Sequence, residues 1–116
     1  MSNPIRNTHA QDDTTVARLT GSLTVVNAPD LRVGLLDAIH ANQPKRLALN
    51  LAEVDFVDSS ALGVFVEARR QMSASDGSVT FTNVNKDIRG LMRIMNLESV
   101  FDFADDEAEV LGSDAG

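Results

Sequence analysis

A chain of 116 residues with 43% hydrophobic content has room for one domain with a real core and little more. It contains no cysteine, which excludes disulfides and thiolate chemistry. A net charge of −7 leaves no basic face for a phosphate backbone, which argues against nucleic acid as the ligand.

The charge is uneven. Asp102, Asp105, Asp106, Glu107, Glu109 and Asp114 crowd the last fifteen residues, whereas the rest carries eleven acids and ten bases. A solvated C-terminal end accounts for such a run more simply than a recognition tail does. With five Phe and neither Trp nor Tyr, the core must be built from Leu, Val, Ile, Met and Ala, a composition suited to helices packed on a sheet. Met1 to Thr15 is polar, without the apolar run of a signal peptide. No stretch approaches the ~18 consecutive apolar residues of a membrane span. Together with the missing cysteines, this makes a soluble cytoplasmic protein the expectation, with no membrane partner.

In chain order, Ile5 to Thr8 gives only a faint strand signal, and Val16 to Leu23 reads as a strand ending near a Gly21 turn. Ala28, Leu31, Leu35, Leu36 and Ile39 form one helical stripe, with Asn27 as a candidate N-cap, Asp30 in the first turn, and Asn42-Gln43-Pro44 as the stop. Leu47, Leu49 and Leu51 alternate with Ala48, Asn50 and Ala52, so this is a central strand covered on both sides, its start marked by Lys45 and Arg46. A short connection then leads to Asp58-Ser59-Ser60, which opens a helix buried through Leu62, Phe65, Val66 and Met72 and wet along Glu67, Arg69 and Arg70. Asp76-Gly77 is a turn signal, and Val79 and Phe81 alternate with Thr80 and Thr82 in another strand.

Ile88, Leu91, Met92 and Met95 give the cleanest helical stripe, with Asn85 or Asp87 as its cap and Arg89 and Arg93 on the far side. The two methionines fit core packing better than a greasy docking groove. Leu97, Val100, Phe101 and Phe103 make an apolar close, with a last short strand, and an irregular tail is expected beyond Asp105. Strands alternating with helices indicate an α/β layer arrangement with crossovers of one hand.

Chemistry concentrates in Val54-Asp55-Phe56-Val57-Asp58-Ser59-Ser60-Ala61-Leu62-Gly63. Asp58 or Ser59 can cap the following helix, and capping explains much of the motif. One cap suffices, however, and two hydroxyls follow Asp58 while Ala61 and Gly63 keep the backbone approachable. A hydroxyl at a strand-to-helix corner is addressable by another protein, and a helix N-terminus is a natural seat for phosphate.

Leu49 to Phe65 resembles the signature of STAS domains, in particular bacterial anti-sigma-factor antagonists: an apolar strand, then Asp-Ser-Ser/Thr-Gly-Leu-Gly and a helix. The resemblance runs from about Val16 to Phe103 and includes Asn83-Val84-Asn85 and the stretch Leu91 to Phe101. It implies a single STAS domain over 15–104, between a polar segment 1–14 and an acidic tail 105–116, with a small mixed sheet of four to five strands and helices mostly on one face. It further implies a non-enzymatic regulator of sigma-factor-dependent transcription. Ser59 would be phosphorylated by a cognate anti-sigma factor of histidine-kinase-like ATPase fold, the unphosphorylated form would bind that kinase, and a PP2C-type serine phosphatase would reset the switch. The partner-binding residues implied are Ser22, Thr24, Asp58, Ser59, Ser60, Ala61 and Gly63. Two departures stand out: Ala61 replaces the usual Gly, adding a methyl near the hydroxyls, and Gly21-Ser22-Leu23-Thr24 replaces Gly-Glu-Leu-Asp. The alternative within the family is an accessory subunit of a transporter or stress-signalling complex, with Ser59 never phosphorylated.

Other chemistries lack their parts. A serine hydrolase needs a base, and the only histidines are His9 in the polar N-terminus and His40 at a helix end; no Gly-x-Ser-x-Gly elbow is present. Two isolated histidines and acids clustered in the tail do not make a metal site, and without Gly-x-x-x-x-Gly-Lys there is no nucleotide loop, so no catalytic residue, metal or cofactor is expected.

Overall fold

Five strands lie side by side in one sheet in the order β1-β2-β3-β4-β5. The computed structural model describes residues 3–111. The elements are β1 (Ile5–Gln11), β2 (Thr14–Leu23), α1 (Ala28–Asn42), β3 (Arg46–Val57), α2 (Ser59–Ser73), β4 (Ser78–Thr82), α3 (Lys86–Ile94), β5 (Asp102–Ala104) and α4 (Glu107–Leu111). β1 and β2 form an antiparallel hairpin; the other neighbours run parallel, joined by the helical crossovers that parallel pairing requires. The sheet is therefore mixed and five-stranded, as the STAS resemblance implied.

One face carries the main core. Leu31, Leu35, Phe65, Ala68, Met72, Ile88 and Met92 from α1, α2 and α3 pack on Leu47, Leu49, Leu51, Val79 and Phe81. Phe81 is its hub, meeting Phe65 and Phe101 edge-on at centroid distances of 5.1 and 4.9 Å and stacking on Phe103 at 5.7 Å. The opposite face has a small second cluster in which Val16 and Ala48 are sealed by Val110 of α4.

The capping chemistry is specific. Asn85 rather than Asp87 caps α3, its Oδ1 accepting from the Ile88 N–H at 2.8 Å. Gln43, in the left-handed region at φ 45°, ends α1 by donating its N–H to the Ile39 carbonyl at 2.8 Å. Asn27 occupies the position before α1 but does not cap it with its side chain, which turns back to brace the preceding loop.

Several stretches differ from expectation. The strand begun at Ile5 continues to Gln11, because Ile5 has an anchor: it lies against α1 where Gly34 has no side chain, and a Cβ there would sit 2.4 Å from Ile5 Cδ1. Asp58 alone separates β3 from α2, since the strand runs through Val57. Met95 closes α3 with 46% of its surface exposed, whereas Met92 is buried. Thr80 and Thr82 are buried like their apolar neighbours, because β4 is covered on both faces. The stretch beyond Asp105 is not an irregular tail throughout: α4 docks through buried Val110 and through Glu107, whose carboxylate receives Arg18 Nε and Nη2 at 2.7 and 2.8 Å and Asn50 Nδ2 at 2.5 Å. Asp114 lies outside the described residues.

Candidate functional site

The corner between β3 and α2 is shaped by two bulges. Arg18 and Thr20 of β2 face Asn50 and Glu53 of β3, and Gly21 and Ser22 face Val54 and Phe56, so β3 holds one extra residue in each interval. Such insertions re-aim side chains where a strand ends. Here they leave Asp55 and Phe56 exposed while Val54 and Val57 stay in the core.

Asp58 then organises the turn. Its backbone is extended, and its Oδ1 accepts hydrogen bonds from the N–H groups of Ser60 at 2.8 Å and Ala61 at 3.2 Å, which caps α2. Its Oδ2 accepts from the Val25 N–H at 3.0 Å, tying the β2–α1 loop to the corner. Its own N–H donates to the Leu23 carbonyl and its carbonyl accepts from the Leu62 N–H. The half-buried carboxylate is fully engaged.

The β2–α1 loop is equally braced. Asn27 accepts from the Thr24 N–H at 2.9 Å and donates to the Ser22 carbonyl at 2.9 Å, and Thr24 Oγ1 accepts from the Val26 N–H at 3.2 Å. Ser22 Oγ donates to Asp55 Oδ1 at 2.8 Å, linking β2 to β3 across the second bulge.

Against this fixed background Ser59, the first residue of α2, is exposed, and its hydroxyl has no hydrogen-bond partner among the described residues. Ser60 is half-buried beside it. Gly63, one turn on, is exposed, and a side chain there would enter open space. Ser22, Thr24, Asp58, Ser59, Ser60 and Gly63 thus converge on one corner. Ala61 belongs to that turn through its backbone, but its side chain is fully buried. The methyl expected near the hydroxyls instead points into the core.

Sequence reasoning overlooked the apolar part of this surface. Val25 and Val26 are 66% and 78% exposed beside Asp58, and Phe56 is 52% exposed next to Asp55. Two adjacent valines where a loop calls for turn residues were the available signal. Phe56 also lines a cleft of about 180 Å³ with Asp55, Val57, Asp87, Ile88 and Leu91, between the end of β3 and the start of α3.

Both Asp58 oxygens are taken by backbone N–H groups, and the only hydrogen bond His9 makes among the described residues is to Gln11. His40 stands in the last turn of α1, whereas the corner lies at that helix's start. Among the described residues no three His, Asp or Glu side chains gather closely enough to hold a metal ion, and no helix is long and apolar enough to cross a membrane. What the site does provide is a braced, partly apolar platform with the Ser59 hydroxyl exposed on it, a surface suited to being recognised.

Comparison with known proteins places the fold and the family. The STAS domain family model matches residues 6–110. The chain is 30% identical over 86 residues to the anti-sigma-B factor antagonist of Bacillus subtilis (strain 168), covering 74% of this chain and 77% of that one. It is 26% identical over 96 residues to the anti-sigma F factor antagonist of Paenibacillus polymyxa, covering 83% and 82%. Among solved structures it matches the anti-sigma factor antagonist SpoIIAA in its unphosphorylated form with a TM-score of 0.74 at 21% identity, covering 95% and 97% of the two chains. It matches the phosphorylated form of SpoIIAA, a Bacillus cell fate determinant, with a TM-score of 0.69 at 22% identity, covering 90% and 95%. With its fold, its motif and its relatives in agreement, the chain belongs to the STAS domain family, on the branch of the anti-sigma factor antagonists.

Proposed function

We propose that this protein is an anti-sigma-factor antagonist that binds a cognate anti-sigma factor through the Ser59 corner and is released when Ser59 is phosphorylated. The observation that carries the reading is the exposed, unengaged Ser59 hydroxyl at the start of α2, beside an Asp58 carboxylate that is fully committed to the backbone; the neighbouring Ser60 is half-buried. That the SpoIIAA fold has been solved with and without phosphate supports it.

The turn explains how a phosphate would act. It adds about −1.5 to −2 charges next to Asp58. The N-terminal N–H groups of α2 that would ordinarily cradle it are occupied: Ser60 and Ala61 donate to the Asp58 side chain and Leu62 to the Asp58 carbonyl. The seat expected at the helix N-terminus is thus reduced to the N–H of Ser59 itself, so the phosphate gains little from the helix and projects outward. Each like-charge pair at ~5 Å and an effective dielectric of ~20 costs about 3 kcal/mol. Water screens this in the free protein and leaves the fold intact. In an interface the water is displaced, and about 3 kcal/mol lowers affinity roughly a hundredfold.

Ser22, Thr24, Asp58, Ser60 and Gly63 complete the docking face, with Val25, Val26 and Phe56 as its apolar part and Ala61 as internal support. The partner is a Ser/Thr kinase of histidine-kinase-like ATPase fold, a PP2C-type phosphatase reverses the modification, and the protein itself performs no catalysis. The cytoplasm, where sigma factors work, is the site of action.

Native lysate passed over immobilised wild type, Ser59→Ala and Ser59→Asp tests this, with bound proteins identified by mass spectrometry. An ATPase-fold kinase held by wild type and Ser59→Ala, and lost with Ser59→Asp at an unchanged circular dichroism spectrum, supports the switch. Retention of a membrane transporter by all three forms would instead favour the accessory role and refute the switch.

A further inference from the structure

The two edges of the sheet are finished differently. β5, at one edge, has three residues and leads directly into α4, a short edge that offers little to pair with. β1, at the other, has seven residues, Ile5 to Gln11, and pairs with β2 on one side only. All but Ile5 are exposed, and no Pro, Lys or acid interrupts the strand. Those are usual devices that blunt an open edge, and here only a bulge between Ile5 and Asn7 and the charge of Arg6, itself paired with Glu53, are present.

The edge is also held in place. Ile5 is seated against Gly34 of α1, Arg6 pairs with Glu53 of β3, and Asn7 Oδ1 accepts from Arg18 Nη1 at 3.0 Å. A strand that is fixed, open and little blunted presents a row of main-chain groups ready for another strand.

We propose that this edge is a self-association surface, on which a second copy of the chain pairs its own β1 antiparallel about Thr8 to give a continuous ten-stranded sheet. Self-complementarity picks out this occupant. Thr8 is the middle of the strand, so a two-fold axis there pairs Thr8 with Thr8, Asn7 with His9, Arg6 with Ala10 and Ile5 with Gln11 of the second copy. No like charges face each other, and the polar Asn7–His9 pairs are matched for hydrogen bonding. In a chain of net charge −7, β1 contains one Arg, one His and no acid, so the strand itself adds no carboxylate repulsion between two copies. Asp12 and Asp13, which follow the strand, fall opposite Pro4 and Asn3 rather than opposite each other.

Seven residues of edge pairing bury less than the ~800 Å² per partner of a standard stable interface, so the dimer is weak and reversible. Ser59 lies on α2 and belongs to a different surface, so this association stands independently of the switch.

Sedimentation velocity over a micromolar to millimolar concentration series tests the proposal. Wild type is expected to rise from monomer mass toward twice that value. Thr8→Lys and Thr8→Glu, which place like charges face to face at an exposed position, are each expected to stay monomeric over the same range, and an equal mixture of the two to regain the dimer. That regain also shows that both variants are folded. A wild type that stays monomeric at the highest concentration overturns the proposal, as does a dimer that forms equally well with either variant alone.

Discussion

Two carboxylates in this molecule each gather several hydrogen bonds, and the surroundings they leave behind are opposite. Glu107 takes Arg18 and Asn50 while Val110, one turn on, closes over Val16 and Ala48. The charged groups are paired and the apolar ones covered there, and only Thr82 Oγ1, beside Asn50 on the next strand, is buried without a partner among the described residues. Asp58 takes three backbone N–H groups, yet the surface around it keeps a free Ser59 hydroxyl and bare Val25, Val26 and Phe56. The first arrangement ends a fold. The second stiffens a surface and leaves it unfinished, as a surface awaiting a partner should be.

The largest effect expected from breaking this contrast is at Ser59. Ser59→Asp should lower affinity for the anti-sigma factor roughly a hundredfold, measured by calorimetry once that partner is in hand, with urea unfolding unchanged. Next is Asp58→Ala, which removes the cap of α2 and the brace on Val25. It should cost about 1–2 kcal/mol in urea unfolding, and Asp58→Asn should recover only the capping part, because its single oxygen can replace Oδ1 while its NH2 would face the Val25 N–H.

Val110→Ala should cost about 1–2 kcal/mol by urea unfolding while leaving partner binding untouched. The smallest effect is at Glu107. The Arg18 guanidinium, helped by the Asn50 amide and opposed by burial, holds its carboxyl below the ordinary carboxylate range. Its contribution is therefore complete above that range and is lost as pH falls through the lowered folded value. Half-exposed pairs of this kind contribute no more than about 1 kcal/mol. Plotted against pH, the melting temperatures of wild type and Glu107→Gln should differ near neutrality and converge in acid.

The helices were legible in the sequence because their apolar residues recur with helical period, and the central strand because Leu47, Leu49 and Leu51 alternate. Where alternation broke, at Glu53 and Asp55, the strand seemed to stop. The bulges shift the buried positions to Val54 and Val57, and period-two patterning cannot register an inserted residue. β1 was faint because a hairpin strand at an edge buries little, leaving only Ile5 to mark it. α4 was hidden by its acids, which read as a solvated tail until the fold brought Arg18, some ninety residues earlier, against Glu107.

At the site, Asp58 and the two serines were readable from their order alone. The buried orientation of Ala61 and the bare valines were not, because both depend on how the turn is rotated against the core.

The account rests on Ser59 being the residue that is modified, and mapping phosphate on the protein isolated from its native cells by mass spectrometry tests this most directly. Phosphate on Ser59, and its disappearance in the Ser59→Ala strain, is the predicted result; phosphate confined to another residue, with Ser59 unmodified under every condition that changes sigma-factor output, would contradict it.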